Sequence, residues 1–272
     1  MSEAGLTDKT AGGHHGANYE GDNGKPAGAD LNRQVSVTLT PQQFEEMYFQ
    51  PGVKSRAQQE NIKAFGNPTP LGIVCFLLTY TPTMCVLMGF RGTTTSSLLG
   101  LLGSYYLFGG MGMWISGILE WIVGNTYPSL VFISFGSFWL SLGITLDPNY
   151  QVQQTLGMTG PAFNSAFGLY LVFWSIYVYF LSIAALKTNV TLFIIVFFVA
   201  MTFNLLGVTY FKLASGDLAL ASTLATATGA VGFVSSVAGY WILLHLILAS
   251  VEFPVNVPLG DLSRFYKKRE AA

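Results

Sequence analysis

Charge is what this sequence has least of. Only 10% of its 272 residues are Asp, Glu, Lys or Arg, while 51% are hydrophobic; a water-facing globular domain carries about 25% charged residues. That imbalance excludes an ordinary soluble fold and points to lipid. Between Leu71 and Val251 the ionisable side chains other than Tyr and Cys are Arg91, Glu120, Asp147, Lys187, Lys212, Asp217 and His245, and most of them punctuate apolar runs. The formal net charge is -1, with no basic stripe and no recognition motif, so no nucleic-acid partner is expected. Cysteine is equally scarce. Cys75 and Cys85 fall on one predicted helix, about 15 Å apart along its axis, too far to pair within the chain. Residues 1–30 hold Gly, Asp, Asn, Glu and His where a secretory signal would need an apolar run, so insertion is expected to be directed by the membrane helices themselves. Metal-ligand spacings, a nucleophile with its base, and a phosphate loop are all missing, because the Gly-rich stretches lie inside apolar segments. The expectation is a protein that is not an enzyme and holds no cofactor or metal. The His14–His15 pair, in the tract Gly12–Gly16, reads as part of a polar tail.

What the sequence does have is six long apolar segments, at about 71–90, 98–124, 128–146, 163–186, 190–211 and 229–252. Each is near the length of about 20 residues that a helix needs to span a bilayer. A transmembrane barrel would show alternating segments of about ten residues, and that pattern is not found. The predicted fold class is therefore all-α, with six transmembrane helices. Residues 1–36 lack periodicity and bulky apolar side chains and read as a disordered cytoplasmic tail. Residues 37–66 form a short amphipathic helix, over Thr40–Tyr48, and a linker. Residues 67–254 are the transmembrane domain and 255–272 a basic C-terminal tail. Lys54, Arg56, Lys63, Lys187, Arg264, Lys267, Lys268 and Arg269 fall on one side, against Arg91 and Lys212 on the other. The excess places both termini in the cytoplasm. Tight connections are expected at Gly124-Asn125-Thr126 and Lys187-Thr188-Asn189, a longer loop from Asp147 to Pro161, and a short helix from Leu218 in the last loop.

Few residues in these segments carry chemistry. Asn67-Pro68-Thr69-Pro70-Leu71-Gly72 opens the first segment; Asn67 can cap it, and Pro68 and Pro70 fall in the first turn, whose N–H groups have no intrahelical partner. The same residues could form a weak anion vestibule at the positive end of the helix dipole. The second segment carries Gly103, Gly110, Gly117 and Gly124, a seven-residue repeat that keeps small residues on one side for close helix contact. Glu120 lies close to that seam and must face protein rather than lipid. Its readings are a structural hydrogen bond to a neighbouring helix end, or proton transfer and gating. His245 either donates to a backbone carbonyl or shifts protons near neutral pH. Thr79 and Asn204 line a polar path or bond across to other helices. Phe163, Phe167, Tyr170, Phe173, Trp174, Tyr177, Tyr179 and Phe180 crowd the fourth segment with more rings than one face holds. Glycine seams and aromatic faces suit a homo-oligomer.

Three ordered motifs carry a resemblance: Asn67-Pro68-Thr69-Pro70-Leu71-Gly72; Phe108-Gly109-Gly110 followed by Gly117, Glu120 and Gly124-Asn125-Thr126-Tyr127; and Gly136-Ser137-Phe138-Trp139-Leu140. Over about residues 61–262 the chain resembles the acetate transporter family of fungi and bacteria, also called the succinate-acetate permease group. The resemblance implies a six-helix protomer similar in fold to urea and amide channels, a pore in each protomer, a hexameric assembly and a plasma-membrane location. It implies passage of acetate or related short monocarboxylates, often coupled to protons. The family's apolar constriction falls on Phe76, Phe135 and Val199, with Asn67 and Thr69 at the inner mouth. Phe135 stands where some members have Tyr, Val199 where Leu is usual, and Met113 where Gln is common. Those departures leave two other readings in view: a membrane sensor or scaffold with a vestigial pore, and a channel for a neutral solute such as ammonia or urea.

Overall fold

The computed structural model describes residues 65–152 and 160–262. The expected tail, the amphipathic helix at Thr40–Tyr48 and the basic residues from Arg264 onward lie outside them. Six helices are long and apolar enough to cross a membrane: α1 Thr69–Leu87, α2 Thr95–Ile122, α3 Thr126–Leu146, α4 Pro161–Ala185, α5 Val190–Ala214 and α6 Leu218–Ser250. This is the multi-pass all-α architecture the sequence predicts. Most sequential connections are short, and successive helices run antiparallel. The Asn67 end of the bundle thus also carries the α2–α3 and α4–α5 connections and the segment after α6.

Side-chain chemistry explains where the helices start and bend. At the head of α1 the Asn67 Oδ1 accepts from the Thr69 amide at 3.0 Å. Pro82 lies inside α1 and has no N–H for the carbonyl four residues back. That carbonyl, Leu78 O, instead accepts from Ser104 Oγ at 3.1 Å, an acceptor no water could satisfy at this depth. Asn189 Oδ1 caps α5 by accepting from Leu192 N at 2.8 Å.

Two expectations are corrected. The last helix does not begin near residue 229 after a short helix: one continuous helix of 33 residues starts at Leu218, and Asp217 Oδ1 caps it through Leu220 N. No helix breaker interrupts Leu218–Thr228, so the two runs join. The second span is not uniformly α-helical either. It opens as a 3-10 turn over Thr95–Leu101, passes through a π-helix over Tyr105–Gly112 and becomes α over Met113–Ile122. A π-turn holds more residues per turn than an α-turn and so rotates the N-terminal half of the span relative to the C-terminal half. The glycine repeat is split as a result. Gly110 and Gly117 meet α3, where an added Cβ would lie 2.4 Å from Leu140 Cδ2 and 2.6 Å from Ile133 Cγ1, whereas Gly103 faces open space.

The helices pack as a ring: α4 on α5, α5 on α6, α6 on α1, α1 on α2, and α2 on α3. Between α3 and α4 the backbones stay apart and rings fill the gap. Trp174 meets Phe135 and Phe138 with centroids 5.6 and 5.2 Å apart, and Tyr177 donates to Ser134 Oγ at 3.0 Å. Much of the aromatic density of the fourth segment therefore closes the ring, while Phe173 and Phe180 stay exposed on its outer face.

Candidate functional site

Residues on three helices meet at one depth. Phe76 lies seven residues into α1, and Phe135 and Val199 each lie nine residues into helices that start from the same end. At 1.5 Å per residue this is a common level roughly 10–14 Å from the Asn67 end. All three are buried in the central apolar cluster. Phe76 and Phe135 meet edge to face, centroids 6.4 Å apart with planes at 82°. Phe135 also lies 6.1 Å from Phe203, one turn beyond Val199 on α5.

One turn further along the same helices the layer turns polar, at Tyr80, Trp139 and Thr202. Tyr80 stacks on Phe76 with centroids 4.7 Å apart, and its hydroxyl donates across to Thr202 Oγ1 at 3.0 Å. Trp139 stacks on Tyr105 at 5.3 Å and stands edge-on to Tyr80 at 6.4 Å. From α6, Ser235 lies beside the Tyr80 hydroxyl without completing a hydrogen bond of standard geometry. Next outward, the Tyr105 hydroxyl and Thr83 Oγ1 share a hydrogen bond of 3.1 Å. The sequence alone did not reveal this polar layer; an aromatic, hydroxyl or indole residue three or four positions after each of Phe76, Phe135 and Val199 is the signal that could have found it.

At the Asn67 end, Gly124 turns the chain with φ 87, letting the Asn125 amide donate back to Glu120 O at 2.8 Å. The same turn brings the Asn125 side-chain amide to one oxygen of the Glu120 carboxylate, while the Thr69 hydroxyl donates to the other. Ser116 Oγ adds a bond to Pro68 O at 2.9 Å. Glu120 is fully buried in this clamp, which ties the head of α1 to the foot of α2. Pro68 and Thr69 at the head of α1 are thus linked through Ser116 and Glu120 to Asn125 in the turn after α2. Gly72 lets α1 close on α3: a Cβ there would lie 2.5 Å from the Phe132 ring.

The other residues singled out from sequence lie elsewhere. Thr79 is fully buried, its Oγ1 3.0 Å from Ser104 Oγ on α2. Asn204 sits on the exposed face of α5 with Val208, away from the Phe76–Phe135 contact. Met113 is buried in the central cluster. His245 Nδ1 meets Val257 O at 2.7 Å, in the chain that returns after α6. That returning segment also accepts from Trp241 Nε1 through Pro258 O at 2.9 Å, and Gly260 O and Leu259 O accept from Val190 N and Thr191 N at 2.7 and 3.2 Å. The first amides of α5 are therefore satisfied by a strap rather than by water. Among the described residues no cluster of His, Cys, Asp or Glu could hold a metal.

A six-helix membrane bundle with an apolar layer at one depth and a polar layer beside it is the architecture of a transporter or channel. Residues 47–264 match the GPR1/FUN34/yaaH family, and the chain belongs to it. It is 33% identical over 244 residues to the protein alcS of Aspergillus fumigatus, covering 86% of this chain and 89% of that one. The acetate transporter protein patA of Aspergillus clavatus is 30% identical over 215 residues, covering 79% and 86%. Among solved structures, the bacterial acetate channel SatP superposes with a TM-score of 0.58 at 26% identity, over 72% of this chain and 99% of that chain.

Proposed function

We propose that this protein carries acetate or a closely related short monocarboxylate across a membrane, as the protonated acid or together with a proton. The observation that carries this reading is the buried Phe76–Phe135–Val199 layer, in a chain whose relatives include an acetate transporter and an acetate channel. Among the described residues no Lys or Arg lies at that depth: Lys212 is in the last turn of α5, 4.0 Å from Asp217. A bare carboxylate in such a layer loses several kcal/mol of hydration without a paired charge. Entry against an inside-negative potential costs about 2.3 kcal/mol more per charge per 100 mV. A proton on the acid removes both costs. Glu120, held by Thr69 and Asn125, and His245, held to the strap, then serve as structural anchors, and the substrate brings its own proton. The Lys and Arg bias supports cytoplasmic termini, and the resemblance supports a plasma-membrane hexamer.

Radiolabelled acetate uptake into proteoliposomes, with an imposed pH gradient and protein-free liposomes as the control, tests this. Saturable uptake that rises as external pH falls, and that short acids compete for, is the expected result. Uptake no faster than the control overturns the reading and puts the sensor and neutral-solute alternatives ahead.

A further inference from the structure

Three buried side-chain polar atoms complete no hydrogen bond of standard geometry among the described residues: Trp139 Nε1, Thr81 Oγ1, and Ser235 Oγ, which has only the Tyr80 hydroxyl beside it. Trp139 is 2% exposed and Ser235 0%. An unpaired buried donor is destabilising, and most native ones have a partner, so one kept at the centre of a membrane bundle calls for an explanation. Two of the three belong to the polar layer one turn beyond the constriction.

Resting on the carboxylate reading above, we propose that Trp139 Nε1 and Ser235 Oγ, with the Tyr80–Thr202 hydroxyl pair, form a binding station for the carboxyl group of the permeating acid beside the apolar layer. The chemistry of the groups selects the ligand. An indole N–H only donates, so the ligand must present an acceptor; a serine hydroxyl donates and accepts, so the ligand can present a donor too. A protonated carboxyl group has a carbonyl acceptor and an O–H donor on one carbon. It satisfies both kinds of group, and its short alkyl end suits the Phe76 and Tyr80 rings, stacked at 4.7 Å. An ionised carboxylate would find donors but no cation, whereas the neutral acid leaves no charge uncompensated. The station thus takes the acid in the form that the next, apolar layer admits.

The indole is held in place. It is stacked on Tyr105 in the π-helical stretch of α2, and Gly109 in that stretch approaches so closely that a Cβ would lie 2.6 Å from Trp139 Cγ and 2.8 Å from Thr79 Cγ2. Irregular turns of this kind recur at functional sites, where they re-aim side chains. The Phe108-Gly109-Gly110 motif here seats the tryptophan. On the far side, Gly232 lets α6 approach the Tyr80 hydroxyl, which a Cβ would meet at 2.7 Å.

The test is acetate uptake in proteoliposomes by the wild-type protein, Trp139→Phe, which keeps a large aromatic ring and removes the donor, and Ser235→Ala. Each variant is expected to raise the KM for acetate about five- to tenfold at nearly unchanged maximal rate, the loss of one ground-state hydrogen bond. Acetamide, a neutral molecule with adjacent acceptor and donor, should compete in the wild type and compete less well in both variants. Trp121→Phe, at a site 71% exposed on the outer face, should leave KM unchanged. Unaltered KM in Ser235→Ala and Trp139→Phe, or a fall in maximal rate and melting temperature alone, overturns the station. Should Trp139→Phe fail to assemble, Ser235→Ala and the acetamide competition decide. Wild-type uptake equal to that of protein-free liposomes would instead overturn the transport reading on which the station rests.

Discussion

Removing the Glu120 carboxylate should loosen the Asn67 end of the bundle by an amount the geometry bounds. The fully buried side chain accepts from Thr69 Oγ1 on α1 and from Asn125 Nδ2 beyond α2. Hydrogen bonds between membrane helices contribute about 0.6 kcal/mol on average and about 1.7 at most, while bonds to charged groups in soluble proteins contribute about 1.5–3. Glu120→Ala therefore should cost about 1–3 kcal/mol for the two bonds together. Glu120→Gln keeps one acceptor but gives Asn125 Nδ2 a second amide to face, so about half of that loss is expected. Thr69→Ala and Asn125→Ala each remove one donor, and their double variant should lose less than the sum in a Glu120→Ala background, where the partner is already gone. Equilibrium unfolding of the purified protein in mixed detergent, followed by tryptophan fluorescence, reads these changes. Parallel uptake assays separate the two roles of the carboxylate. A clamp loses stability while proton-linked uptake survives in Glu120→Gln. Stability unchanged in Glu120→Ala would refute the clamp, and intact stability with proton coupling abolished in Glu120→Gln would in addition make Glu120 a proton carrier.

Other outcomes rest on the packing. Gly117→Ala should destabilise by about 1–3 kcal/mol, because its Cβ would lie 3.0 Å from the backbone Ile133 N and 2.6 Å from Ile133 Cγ1; Gly103→Ala, with nothing within 4 Å, should be neutral or stabilising by a few tenths up to about 1 kcal/mol in the same unfolding assay. Phe135→Ala removes a ring that touches Phe76, Trp174 and Phe203. It should cost about 3–5 kcal/mol and raise butyrate uptake relative to acetate, measured as a ratio in proteoliposomes. Truncation after Val255 takes away the carbonyls that hold Val190, Thr191, Trp241 and His245. The head of α5 should then become sensitive to limited proteolysis and faster in amide exchange, with the rest of the bundle protected.

Much of this protein is legible in its amino-acid sequence. Low charge and six apolar runs imply six membrane helices, since an apolar run longer than about 18 residues has few other homes. Asn67, Gly124 and Pro70 act where local backbone chemistry places them: Asn67 Oδ1 accepts from the Thr69 amide just before the helix, Gly124 makes a left-handed turn and Pro70 lies in the first helical turn. Local rules failed where two runs joined without a breaker, at Leu218, and where α2 changes its winding at Tyr105–Gly112. The π-helix answers to its neighbours on α1 and α3, so no residue within it announces the change.

Membrane class and the number of spans were determined by the sequence alone, because both depend on composition and on the length of apolar runs. Only the tertiary structure decided that Glu120 would be clamped by Thr69 and Asn125, that His245 would anchor a strap, and that Trp139 and Ser235 would share a layer with Tyr80 and Thr202. Those pairings join residues far apart in the chain, and they depend on how deep each helix sits and how it is rotated. Both are properties of the packed ring, set by close approaches such as Gly109 against Trp139 and Gly117 against Ile133.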